Sequence, residues 1–114
     1  MTPEQRLAAV RSQLEKRPDD PFVRYALAMA LRSAGDLAAA VAEFRELARR
    51  SPDYVPTYLM LGQVLEARGD GASALVAYEA GRAAAVRRGD GHAERELAAA
   101  AEELRARGIR GPTA

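Results

Sequence analysis

Apolar residues recur at helical spacing along this chain in six blocks, each ended by proline, glycine or aspartate. Residues 3–17 place Leu7, Val10 and Leu14 at i, i+3 and i+7, with Pro3 in the first turn where a missing N–H costs nothing. Pro18-Asp19-Asp20-Pro21 breaks that helix, because proline pushes the residue before it out of the helical region. A second helix is predicted over 21–34, with Asp20 as its cap and Pro21 at its first position. Gly35 ends it in the left-handed conformation that glycine adopts cheaply. The third, over 37–50, sets Leu37, Val41, Phe44 and Leu47 on one face and closes on Arg49-Arg50, favourable beside the negative helix end. Tyr58, Leu61, Val64 and Leu65 define a fourth over 55–68. A fifth runs from 71 to 88, and a sixth over 92–107 turns Leu97, Ala100, Ala101 and Leu104 inward. Residues 109–114 are expected to fray.

The polar residues agree with this parse. All six aspartates (19, 20, 36, 53, 70, 90) fall in predicted turns, and every glutamate falls in or at the edge of a helix. Aspartate competes with the backbone for hydrogen bonds and favours caps, whereas glutamate loses little inside a helix.

The blocks also repeat. Shifted by 34 positions, Leu27 falls on Leu61, Leu31 on Leu65, Gly35-Asp36 on Gly69-Asp70, Ala40 on Ala74, Phe44 on Tyr78 and Pro18-Asp19 on Pro52-Asp53. Such a period is the length of one helix–turn–helix unit, and stacked units of this kind form binding surfaces for other chains. The fold class expected is therefore all-α, six antiparallel helices, with no strand.

At this spacing the residues resemble the tetratricopeptide repeat, W-x2-L-G-x2-Y, then A-x3-F, then P. One unit reads Arg24-x2-Leu27-Ala28-x2-Leu31, Ala40-x3-Phe44, Pro52; the next reads Tyr58-x2-Leu61-Gly62-x2-Leu65, Ala74-x3-Tyr78. Departures are Arg24 for an aromatic, leucines for tyrosine, and no proline near position 86, which lets the fifth helix run longer. The expected organisation is one domain over 1–114: a flanking helix in 1–20, repeats at 21–54 and 55–88, and a capping helix and tail in 89–114. Ala28/Gly62 and Ala40/Ala74 are the small residues where paired helices cross, and Phe44/Tyr78 fill the wedge between repeats.

Composition removes most alternatives. Net charge is +1 with 29% charged residues, so no strong field is available for nucleic acid or an anionic membrane. There is no cysteine, one histidine (His92), no apolar leader and no run long enough to span a bilayer, which points to a cytoplasmic protein. His92 has no companion ligands or nucleophile and reads as a surface residue at a helix start. Glu94, Glu96, Glu102 and Glu103 are interleaved with Arg95, Arg105 and Arg107, as on a solvated helix face. Gly89-Asp90-Gly91 lacks the lysine and hydroxyl of a phosphate loop. No catalytic residue, cofactor or metal is expected, and the chain is read as not an enzyme.

Phe22, Tyr25 and Met29 share a face of the second helix distinct from the Leu27/Leu31 face. Either they pack under the first helix, or they form an apolar strip that meets a partner. The resemblance implies a concave groove lined by the first helix of each pair. By register its lining would be Phe22, Tyr25, Met29, Arg32 and Ser33, then Leu59, Gln63 and Glu66, then Arg95, Glu102 and Arg105. Family members that clamp a C-terminal carboxylate use lysine and asparagine where this chain has Tyr25, Met29 and Met60, so an apolar or mixed peptide contact fits better. The resemblance thus implies a non-catalytic module that holds a peptide or partner helix. A strip of Phe22, Tyr25, Met29 and Leu59 is rimmed by Arg32, Gln63 and Glu66. The alternative is a self-assembling scaffold, a homodimer through the same strip.

Overall fold

The computed structural model describes residues 1–112, which form six α-helices and no strand. They are α1 Pro3–Lys16, α2 Pro21–Ser33, α3 Leu37–Arg50, α4 Pro56–Ala67, α5 Gly71–Arg88 and α6 Gly91–Ala106. Every predicted helix is present, within a residue of its expected ends. Thr113 and Ala114, part of the segment expected to fray, lie outside the described residues.

Two compact units divide the chain, Met1–Ser51 and Pro52–Ala114. In the first, Thr2 and Gln5 start α1 with reciprocal hydrogen bonds, the side chain of each accepting from the backbone of the other. Asp20 accepts from the Phe22 amide at 2.9 Å to start α2. At the end of α2, Gly35 takes φ +84°, its N–H donates to the Arg32 carbonyl and the Asp36 N–H donates to Leu31. These two reversed bonds satisfy carbonyls the helix leaves free. Asp36 then accepts from the Ala39 amide and starts α3. One Gly-Asp pair thus stops a helix and begins the next, which keeps the turn short.

α1 packs on α2 and α2 on α3. Val23, Leu27, Ala28, Ala30 and Leu31 of α2 and Ala40, Val41, Phe44 and Leu47 of α3 are buried. α1 buries no residue; Leu7, Val10 and Leu14 are only half covered. Arg24, which departs from the aromatic of the repeat pattern, is nine-tenths buried and donates to Glu43 at 2.8 Å. The buried guanidinium is tolerated because its charge is paired.

The second unit repeats the device: Gly69-Asp70 joins α4 to α5 and Gly89-Asp90 joins α5 to α6, each with the same reversed bonds. α4 begins differently. Val55 offers no side-chain cap, and Asp53 instead accepts from Arg87 at 2.7 Å. Arg87 belongs to the extra turn that α5 gains by lacking a proline near position 86. The Tyr58 hydroxyl donates to the Pro52 carbonyl at the same junction. α5 packs against both α4 and α6, and buries Ala74, Leu75, Ala77, Tyr78, Gly81, Ala84 and Ala85. Leu97, Ala101 and Leu104 are the buried residues of α6; Ala100, expected inward, is half covered. The large residues Phe44 and Tyr78 each make contacts within their own unit, Phe44 with Tyr25 and Tyr78 with Gly62.

After α6 the chain does not simply fray. Gly108 and Ile109 close the helix with the same pair of reversed bonds, and Ile109 lies against Gly71, its Cδ1 3.1 Å from where a β-carbon there would stand. The physical reason is the residue after the glycine. Isoleucine stands where aspartate stands in the other three turns, so it packs instead of capping a further helix.

Candidate protein-interaction surface

The first helix of each pair carries the residues expected to meet a partner. On α2 the core row is closed, Leu27 and Leu31 being 4% and 3% exposed. One face further round, Phe22 stands 65% exposed one residue after the capping Asp20–Pro21 turn. Tyr25, Met29 and Arg32 are half-buried and Ser33 is exposed. The Tyr25 ring meets Phe44 edge-on, with centroids 6.1 Å apart and planes at 65°. Burial pushes its phenol pKa up, opposed by the nearby Arg32 charge. The strip is therefore graded: Phe22 is open surface, while Tyr25 is shared between surface and core. α1 packs on α2 without covering Phe22.

On α4, Leu59 is half-buried and Gln63 exposed. Glu66, expected as part of the polar rim, is engaged within the fold: it accepts from the Tyr78 hydroxyl on one oxygen and from Arg107 at 2.7 Å on the other. Burial first, and the Glu66 carboxylate second, raise the Tyr78 pKa well above its ordinary value. This three-residue cluster ties α4, α5 and the end of α6 together, and sequence reasoning missed it. A signal was available in the repeat register, where Phe44 and Arg32 of the first unit correspond to Tyr78 and Glu66 of the second. The added hydroxyl and the reversed charge arrive together.

Of the positions mapped on α6, Arg95 and Glu102 are exposed, and Arg105 turns to α5, donating to Glu79 at 2.8 Å. His92 is exposed at the start of α6. Among the described residues no three histidine, cysteine, aspartate or glutamate side chains group as metal ligands, and no helix is long and apolar enough to cross a membrane.

α2 and α4 thus each pair with the helix that follows and carry apolar and polar positions outside their core rows, the arrangement of a helical repeat. A family model for the tetratricopeptide repeat matches residues 21–64. A TPR repeat-containing protein of Pseudomonas aeruginosa is 31% identical over 91 residues, which are 80% of this chain and 87% of that protein. The crystal structure of a tetratricopeptide repeat domain protein from Salinibacter ruber superposes with a TM-score of 0.71 at 34% identity, covering 76% of this chain and 97% of that one. The TPR2B domain of yeast Sti1, in its complex with pHsp70, shares the fold at a TM-score of 0.80 and 21% identity, covering 89% of this chain and 81% of that one. The chain belongs to the tetratricopeptide repeat family. Repeats of this family generally mediate protein–protein interaction, and the fold is generally a non-catalytic module.

Proposed function

We propose that this protein is an interaction module, one repeat domain over 1–114 with repeats at 21–54 and 55–88, that holds a peptide or helix of a partner protein on the first helices of its repeats. The contacting residues are Phe22, Tyr25, Met29 and Arg32 on α2, and Leu59, Gln63 and Glu66 on α4. The observation that carries the reading is Phe22, a large apolar side chain left 65% exposed on a helix whose core row is complete without it. Interfaces draw most of their energy from a few such anchors. Glu66 serves as a fixed acceptor, since Tyr78 and Arg107 hold its carboxylate in place. Homodimerisation through the same strip is the second reading, favoured by the same exposed phenylalanine.

Phe22→Asp is the test, scored by thermal melting, by solution mass and by capture of partner proteins from the native cell. A captured partner, or a dimer, that disappears with an unchanged melting temperature supports the strip; which of the two is lost separates module from homodimer. Association that survives the substitution unchanged overturns the site. Tyr25→Ala is the companion variant, and its edge-on contact with Phe44 predicts some loss of stability as well.

A further inference from the structure

A second surface lies on the Pro52–Ala114 unit. Between α5 and the segment after α6 opens a cleft of about 620 Å³. Its apolar floor is Leu75, Val76 and Ile109, and its rim carries Glu79, Arg105 and Arg110. Two features of this cleft ask for an occupant. Val76 stays 48% exposed within this lining, and Ile109, anchored on Gly71, extends the same apolar floor. The rim is also unbalanced. Glu79 is shared by Arg105 at 2.8 Å and Arg82 at 3.6 Å, and Glu102 reaches Arg105 only at 4.0 Å. Arg110 makes no ion pair with any described residue, so the lining itself carries two guanidiniums to the one carboxylate of Glu79.

The backbone adds a further constraint. Beyond Ile109 the chain is not helical, and the amides of Arg110 and Gly111 donate no backbone hydrogen bond among the described residues. An extended segment laid beside such a stretch can accept hydrogen bonds from those amides. A basic occupant would meet the arginine surplus unfavourably, and a purely polar one would leave Val76 wet.

We propose that this cleft seats an extended acidic peptide segment of a partner protein, with an aliphatic side chain against Val76 and Ile109 and a carboxylate beside Arg110. Planar guanidinium and carboxylate match in bidentate geometry, which gives the site its preference for acid. This surface shares no lining residue with the α2 and α4 strip.

The test uses the full chain, labelled with ¹⁵N, and two acetylated, amidated hexapeptides: one alternating aspartate with leucine, the other alternating lysine with leucine. The expected result is saturable shifts of the Val76, Ile109 and Gly111 amides with the acidic peptide, and binding at least tenfold weaker with the basic one. Arg110→Glu should weaken the acidic peptide at least tenfold, and Val76→Asp should abolish its binding; both positions are exposed, so the helical circular dichroism should not change. Absence of saturable shifts, shifts confined to Phe22, Leu59 and Gln63, equal affinity for the two peptides, or an unaffected Arg110→Glu variant would each overturn the proposal.

Discussion

The ring of Tyr78 occupies the space that a β-carbon on Gly62 would need: an ideal Cβ there would stand 2.1 Å from Cε1 and 2.5 Å from Cζ of the tyrosine. Gly62 is therefore a point of close approach between α4 and α5, and its hydrogen is what lets Tyr78 lie buried with its hydroxyl on Glu66. Glycine inside a helix ordinarily costs about 1 kcal/mol against alanine. Here the gain from removing it is outweighed, because overpacking a filled core costs roughly 1–3 kcal/mol or more.

Gly62→Ala should accordingly lower stability in urea denaturation, against the helix-propensity trend. Gly81→Ala should cost more, since its Cβ would meet the Tyr58 Cβ at 2.5 Å, an atom fixed to the backbone that cannot swing away. Gly91→Ala is the control: only the flexible tip of Arg95, at 3.3 Å, stands near, and the change should stay within about 0.5 kcal/mol. A stabilised Gly62→Ala protein would show that the helices do not approach this closely.

Phe44 is fully buried, with Tyr25 edge-on against it. Phe44→Ala should cost on the order of 3–5 kcal/mol. That is a large share of the roughly 5–15 kcal/mol that holds a small domain folded. A melting temperature within a degree or two of the parent would contradict the assignment.

Leu97 and Leu104 are each 1% exposed and anchor α6 against α5. Leu104→Ala should cost about 2–5 kcal/mol, and Leu104→Asp more, because it buries an unpaired carboxylate. Removal of residues 92–114 should uncover Leu75 and Tyr78 and lower solubility, as terminal repeats need a polar outer face. Light scattering of the truncated chain checks this; a soluble, monomeric and equally stable fragment would refute the capping role.

Glu46 accepts from Arg49 at 2.5 Å and from Arg50 at 2.7 Å, and these hydrogen bonds hold its carboxyl pKa down to about 2. A depressed folded-state pKa adds stability that is present above the ordinary carboxylate value and is lost as pH falls through the folded one. The contribution is small, because the group is solvated and salt-screened. Carboxyl-carbon NMR should find Glu46 titrating near pH 2, and Arg49→Gln combined with Arg50→Gln should return it toward the usual range. A normal titration in the parent protein would remove these hydrogen bonds from the solution structure.

Six helices, their ends and their register were legible because those properties are local. Proline cannot continue a helix, Gly-Asp both stops one and starts the next, and leucine spacing marks the buried row whatever lies beneath it. The same locality explains what was left open. Tyr25 and Glu66 sit off the leucine row, and periodicity alone could not show that Phe44 would cover one or that Tyr78 and Arg107 would hold the other. Arg24 departs from the repeat pattern, yet its place in the core depends on Glu43, nineteen residues away.

By itself the sequence determined the helical repeat, the turns and the row of core leucines, since each follows from conformational preferences within a few residues. Tertiary structure alone decided which off-row side chains stay free. Phe22 remains open, Glu66 is taken by two partners, and Ile109 folds onto Gly71 to leave Val76 and Arg110 at the mouth of a cleft. Those outcomes depend on contacts between residues far apart in the chain, where side-chain reach, charge and the absence of one β-carbon settle what a helical pattern leaves open.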